Sequence, residues 1–147
     1  MASSRVEQIG RKVLQAHQWI YEKSGGALGH KLLFGNPTLL LRTTGAKTGK
    51  ARTNALTYGR DGAAYLVVAS NGGSRRAPGW LANLKADPEV ELQVGRRRIP
   101  VHARATLPDD PDYARRWDIV NKVNADRYTA YQRRTDRTIP IVELTPR

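Results

Sequence analysis

The chain has no cysteine among its 147 residues, which excludes disulfides, thiolate metal sites and cysteine nucleophiles and suits a reducing compartment. It has no window near the roughly 18 to 20 uninterrupted apolar residues that a membrane-spanning helix needs. Its N-terminus also lacks the short apolar core and small-residue cleavage site of a secretory signal. A cytoplasmic protein is expected. Acidic residues are scarce: 13 Asp plus Glu face 25 Lys plus Arg, for a formal net charge of +12. That field favours an anion, whether nucleic acid, an acidic membrane surface or a polyanionic small molecule. His17, His30 and His102 stand far apart and acidic residues do not cluster, so no metal is expected. A GxSxG nucleophile elbow is missing, which argues against a Ser-His-Asp hydrolase. What remains, 39% hydrophobic residues in a chain of this length, suits one domain over residues 1–147 that buries about two thirds of its unfolded surface.

Ser4 and Glu7 form a capping box, and Val6, Ile9, Val13, Leu14, His17, Ile20 and Tyr21 follow at helical spacing, so an amphipathic helix is predicted from about Arg5 to Lys23. Ser24, Gly25 and Gly26 end it, and Ala27 to Asn36 reads as a short helical or irregular segment. Thr38 to Thr43 is a short apolar strand. Arg52 to Tyr58 and Ala64 to Ala69 read as two strands of one hairpin, turning across Gly59, Arg60, Asp61 and Gly62. Trp80, Leu81, Leu84 and Ala86 suit a short helix that Pro88 stops. Val90, Leu92 and Val94 alternate with Glu89, Glu91 and Gln93, the pattern of a strand with one wet face. Gly95 and Arg96 turn the chain into the partner strand Ile99 to Ala105, where Pro100 predicts an edge or bulge position. A helix from Pro108, Asp109 and Asp110 to about Val123, another near Asp126 to Arg133, and a last strand Thr138 to Leu144 complete the order. About six strands with helices at the start, middle and end predict an α+β domain around an antiparallel sheet or small barrel.

Thr44-Gly45-Ala46-Lys47-Thr48-Gly49-Lys50 lacks the spacing of a P-loop, since only three residues separate its glycines and Ala51 follows the lysine. Its two glycines, two threonine hydroxyls, Lys47, Lys50 and Arg52 fit an anion cradle, and equally a solvated loop. Asn71-Gly72-Gly73-Ser74-Arg75-Arg76 follows a strand and precedes a helix N-terminus, where amides and dipole favour negative charge. The two loops can face one another across one site. Tyr113 and Trp117 at i, i+4 read as packing. Tyr128 and Tyr131, one turn apart in a polar stretch, can cover a planar ring. Arg96, Arg97 and Arg98 read as a solvated strand end. They have no interleaved aromatics, which disfavours single-stranded nucleic acid as partner.

The ordered segments LLLRTTGAKTGKARTNAL, YGRDGAAYLVVASNGG, PGWLANLKADPEVELQVG and RTDRTIPIVEL closely resemble the deazaflavin-dependent nitroreductase family, small actinobacterial oxidoreductases that use coenzyme F420. The likeness runs from about Gly29 to Leu144. It implies a split β-barrel and hydride donation from the reduced deazaflavin to a quinone or nitro compound. It implies that Ala46, Lys47, Thr48, Lys50 and Arg52 meet the cofactor's phosphate and oligoglutamate tail. Thr53, Asn54, Ala55, Leu56 and Thr57, with Val68, Ala69, Ser70 and Asn71, would line its ring and ribityl chain, and Gly79, Trp80, Leu81, Ala82 and Asn83 would close the other side. Tyr128 and Tyr131 would stand beside ring and substrate. Three positions depart from the family: Asn71 where lysine is common, Thr57 where an aromatic stands, and Ala125 in place of a third tyrosine. A flavin mononucleotide-binding barrel and a basic binding module are the rival readings. The cations Arg5, Arg11, Lys12 and Lys23 make the N-terminal helix a candidate for contact with an anionic membrane.

Overall fold

The computed structural model describes residues 36–147; the helix predicted for Arg5 to Lys23 and nearly all of the segment after it lie outside them. Seven antiparallel strands form one sheet: β1 (Thr38–Thr44), β2 (Ala51–Thr57), β3 (Gly59–Asp61), β4 (Ala64–Val68), β5 (Glu89–Val94), β6 (Arg97–Thr106) and β7 (Ile141–Pro146). Their order across the sheet is β2-β1-β5-β6-β7-β4-β3. β2 and β3 are therefore opposite edges, yet only Tyr58 separates them in the chain. One residue cannot cross an open sheet of seven strands at about 4.8 Å per step. The sheet curls until its edges approach, giving the split barrel of an α+β fold with seven strands in place of about six.

This closure corrects the predicted hairpin. β2 pairs with β1, not β4, and the tight turn joins β3 to β4 with Asp61 opposite Ala64. The Asp61-Gly62 signal marked a real turn, but Gly59 to Asp61 is strand on its near side. Pro100 is corrected as well, because β6 lies inside the sheet between β5 and β7. β7 begins pairing only at Val101, opposite Pro146, so the ring of Pro100 takes no place in that ladder. Gln93, expected on a wet face, is buried; its side chain accepts from Arg42 at 2.7 Å and donates to the Gly95 carbonyl at 2.9 Å.

Both faces of β4 are covered, which explains its unbroken apolar run. Tyr65 and Val67 point into the barrel with Leu39, Leu41, Leu92, Val101 and Leu144. Leu66 and Val68 point outward, where the C-terminal helices α2 (Tyr113–Val123) and α3 (Arg127–Arg133) cover them with Val120 and Tyr128. The short helix α1 (Gly79–Ala86) buries Trp80, Leu81 and Leu84 against the barrel core. Arg115 and Arg116 tie α2 to the sheet: both bind Asp61 at 2.8 Å, and Arg116 also reaches Glu143 at 2.5 Å.

Candidate cofactor site at one end of the barrel

Strand registers decide which sequence motifs meet. Arg42 pairs with Glu91, Glu89 with His102, Thr106 with Ile141 and Ile141 with Val68. The end of β1, the start of β5, the end of β6, the start of β7 and the end of β4 therefore share one end of the barrel. The 45–50 loop, the 69–78 loop and α1 all lie there. The Gly95-Arg96 turn is at the opposite end, which takes Arg96, Arg97 and Arg98 away from the site.

The 45–50 loop is compact rather than open. Its Gly45 N–H donates to the Lys50 carbonyl at 2.7 Å, and the Gly49 N–H to the Gly45 carbonyl at 2.8 Å. Gly49 has φ +68°, a conformation that L side chains resist. Asn83 on α1 braces the loop: its side chain accepts the Ala46 N–H at 2.9 Å and donates to Thr43 Oγ1 at 3.0 Å. The Lys47 and Thr48 amides make no hydrogen bond among the described residues. Lys47, Lys50 and Arg52 are exposed and form no ion pair among the described residues.

The second loop starts as a 3-10 turn, Asn71–Gly73. Asn71, Gly72 and Gly73 all have positive φ, and the Asn71 side chain donates to the Arg76 carbonyl at 3.0 Å. Arg75 and Arg76 are exposed. The chain then enters α1 through Pro78, with no side chain capping the helix N-terminus. Amides, cations and a helix start that have no side-chain partner among the described residues thus gather at one place, and this donor set fits the phosphate and carboxylates of an anionic cofactor.

The other positions implied by the resemblance start at this end and run along the barrel, with Thr57 opposite Thr38 at its far end. Thr53, Asn54, Ala55 and Leu56 are half-buried on β2, an edge strand paired on one side only, and Thr57 at its far end is buried. Val68, Ala69 and Ser70 are buried at the end of β4, with Asn71 exposed beyond them. Gly79 and Ala82 are exposed on α1, whereas Trp80 and Leu81 point into the core. Tyr131 is half-buried, with the Arg134 guanidinium 5.5 Å from its ring centre.

Tyr128 is only 6% exposed and sits in an aromatic chain, 6.5 Å from Trp117 and 6.1 Å from Tyr131 between ring centres. Burial, then the neighbouring Tyr131, pushes its phenol well above the ordinary range, while a hydrogen bond with Asn124 opposes them. Its phenol is neutral at physiological pH. A separate cavity of about 570 Å³, lined by Tyr113, Trp117, Thr129, Gln132 and Arg133 among others, opens between α2 and α3; on α3 it uses a different face from Tyr128 and Tyr131.

Sequence reasoning missed the bracing role of Asn83 and all of Arg137. The guanidinium of Arg137 donates to the carbonyls of Ala69, Ser70 and Ser74 at 2.8 to 3.2 Å. Arg137 lies in the RTDRTIPIVEL segment that carries the resemblance, but the sequence assigned it no role.

The family model described as F420H(2)-dependent quinone reductase matches residues 13–146. The F420H(2)-dependent quinone reductase of Mycobacterium tuberculosis (strain ATCC 25618 / H37Rv) is 55% identical over 139 residues, covering 95% of this chain and 93% of its own. Among solved structures, the F420-H2 dependent reductase FDR-A is 35% identical with TM-score 0.66, over 74% of this chain and 93% of its own. A domain-swapped dimer is 31% identical with TM-score 0.67, over 97% and 98%. With a family model over most of the chain and a relative 55% identical over 95% of it, the chain belongs to the F420H(2)-dependent quinone reductase family.

Proposed function

We propose that the protein transfers a hydride from reduced coenzyme F420 to a quinone, with nitroaromatic compounds as further acceptors. The observation that carries this reading is the meeting of free amides, unpaired cations and the tyrosine helix at one barrel end. Lys47 and Thr48 would hold the cofactor phosphate through their amides, because Asn83 already occupies the Ala46 N–H. Lys50 and Arg52, with Arg75 and Arg76, would meet carboxylates of the tail. Thr53 to Thr57 would flank the ring along the open edge of β2, and Val68 to Asn71 would flank it from β4. Gly79 to Asn83 would close the remaining side.

When bound, the reduced deazaflavin supplies two electrons as hydride. The chain's own task is to hold donor and acceptor in contact, exclude water and stabilise the oxygen on which negative charge builds. Its partial exposure supports Tyr131 in that role. Its O–H or a water at the pocket mouth delivers the proton that completes reduction to the quinol. Tyr128 contributes surface, since its side chain is buried and its phenol stays protonated.

The protein is cytoplasmic in this reading, and the basic, amphipathic N-terminal pattern supports contact with an anionic membrane. No nucleic acid partner is proposed, since the gathered cations serve the cofactor. Titration with oxidised F420 and with flavin mononucleotide, followed by menadione reduction with reduced F420, tests the assignment. Tighter, salt-sensitive binding of F420 and turnover are expected. Tighter binding of flavin mononucleotide, or no turnover, would overturn it.

A further inference from the structure

We propose that Arg137 is the positioning residue of this site, locking the β4 end that flanks the ring to the helix that carries Tyr131. The inference rests on the functional reading above for its consequence, although the lock itself is read from contacts. The Arg137 guanidinium donates to the Ser74 carbonyl through Nε at 2.9 Å, to Ala69 through Nη1 and Nη2 at 3.1 and 3.2 Å, and to Ser70 through Nη2 at 2.8 Å. Three carbonyls from one six-residue stretch thus face a single planar fork. Ala69 and Ser70 are buried, so their carbonyls have little water to replace these bonds. A lysine ammonium is a point donor and cannot span the same set.

The other end of the lock is α3. Gln132 Nε2 donates to the Arg137 carbonyl at 2.8 Å, and Gln132 Oε1 accepts the Ile139 N–H at 2.9 Å. The backbone that carries Arg137 is thereby fixed to the helix one residue beyond Tyr131. Direct packing closes the circuit. A Cβ added at Gly73 would lie 2.7 Å from the Tyr131 carbonyl and 3.1 Å from its Cα, so only glycine lets this turn seat against the tyrosine's own backbone. Segment 69–74 and α3 therefore move as one body, with spacing set by Arg137 and Gly73.

The test compares wild type with Arg137→Ala and Arg137→Lys, using amide hydrogen exchange without cofactor, F420 affinity by fluorescence, and menadione turnover. In Arg137→Ala, exchange is expected to rise at least tenfold in both 69–74 and 127–133, while β5 and β6 stay protected. The F420 dissociation constant should rise and kcat fall at least tenfold each, with partial recovery of both in millimolar guanidinium. Should Arg137→Ala fail to fold, Arg137→Lys carries the test, with the same selective exchange and a several-fold smaller kinetic loss. Wild-type exchange and kinetics in either folded variant, or a loss of thermal stability alone, would overturn the proposal. If wild type itself binds no F420, the functional reading fails, and the exchange result still decides the lock.

Discussion

Asn83 donates to Thr43 Oγ1 and accepts the Ala46 N–H, so a single side-chain amide joins the end of β1, the 45–50 loop and α1. Asn83→Leu keeps the volume and removes both bonds. F420 affinity should fall about tenfold, near 1.4 kcal/mol, with a stability loss of about 1 to 2 kcal/mol. Asn83→Asp keeps the acceptor for Ala46 and should lose less affinity. Fluorescence titration and thermal melts check both; unchanged affinity in Asn83→Leu would mean that the brace does not shape the site.

Lys47 and Arg52 support no ion pair among the described residues, so their removal should cost the fold little. Lys47→Ala and Arg52→Ala are each expected to weaken F420 binding by about 1 to 3 kcal/mol, the range for a charge-assisted hydrogen bond. The salt dependence of affinity should flatten in both. A variant that melts early yet binds normally when folded would mark a structural residue.

Ala125 and Asp126 are consecutive non-glycine residues with φ +52° and +58°, in the link between α2 and α3. Left-handed backbone costs roughly 1 to 2 kcal/mol with a Cβ, partly offset by the greater unfolded-state freedom of glycine. Ala125→Gly should therefore stabilise by about 0.5 to 1 kcal/mol, raising the melting temperature by a few degrees. A lower melting temperature would show that this Cβ makes a favourable contact.

These tests fall on features that differ in how visible they were in the sequence. β5 and β6 could be recognised because Val90, Leu92 and Val94 alternate with polar residues across a sheet surface. The cradle loop was legible because Gly45, Gly49 and the nearby cations are local. The pairing of β2 was not, because the Asp61-Gly62 turn signal reports neighbours in sequence, whereas β1 finds β2 across the 45–50 loop and curling of the whole sheet sets β3 at the other edge. Gln93 sits at a position that alternation makes wet, and only the arrival of Arg42 from β1 gives it a buried partner. Arg137 was hidden for the same reason: its carbonyl partners are more than 60 residues away in the chain.

Acid should loosen α2 first. Hydrogen bonds from Arg115, then Arg116, hold Asp61 at about 2, below its usual 3.8. Burial alone would raise Glu143, but hydrogen bonds from Arg116 and Arg104 outweigh it and leave the carboxyl below its ordinary value. Both folded values lie below the unfolded ones, so the stability they contribute is present above about pH 4 and is lost as pH falls toward 2. Melting temperature should drop steeply across that window. Asp61→Asn should start about 1 to 3 kcal/mol less stable at pH 7 and show a shallower acid slope. An unchanged slope would assign the acid sensitivity to other carboxylates.

Tyr128 separates wall from proton donor. Its ring is 6% exposed and packs with Leu66, Val120 and Ile139, while burial keeps the phenol neutral far above physiological pH. Tyr128→Phe preserves this surface and removes only the hydroxyl, so stability should change by no more than about 1.5 kcal/mol and turnover should fall by less than about threefold. Tyr128→Ala opens a cavity and should cost about 3 to 5 kcal/mol of stability, with a rise in KM for menadione larger than any change in kcat. The pH-rate profile of wild type should show no ionisation that Tyr128→Phe removes. A loss of roughly 10² to 10³ in kcat for Tyr128→Phe, at unchanged F420 affinity, would instead make this hydroxyl the proton donor or oxyanion partner.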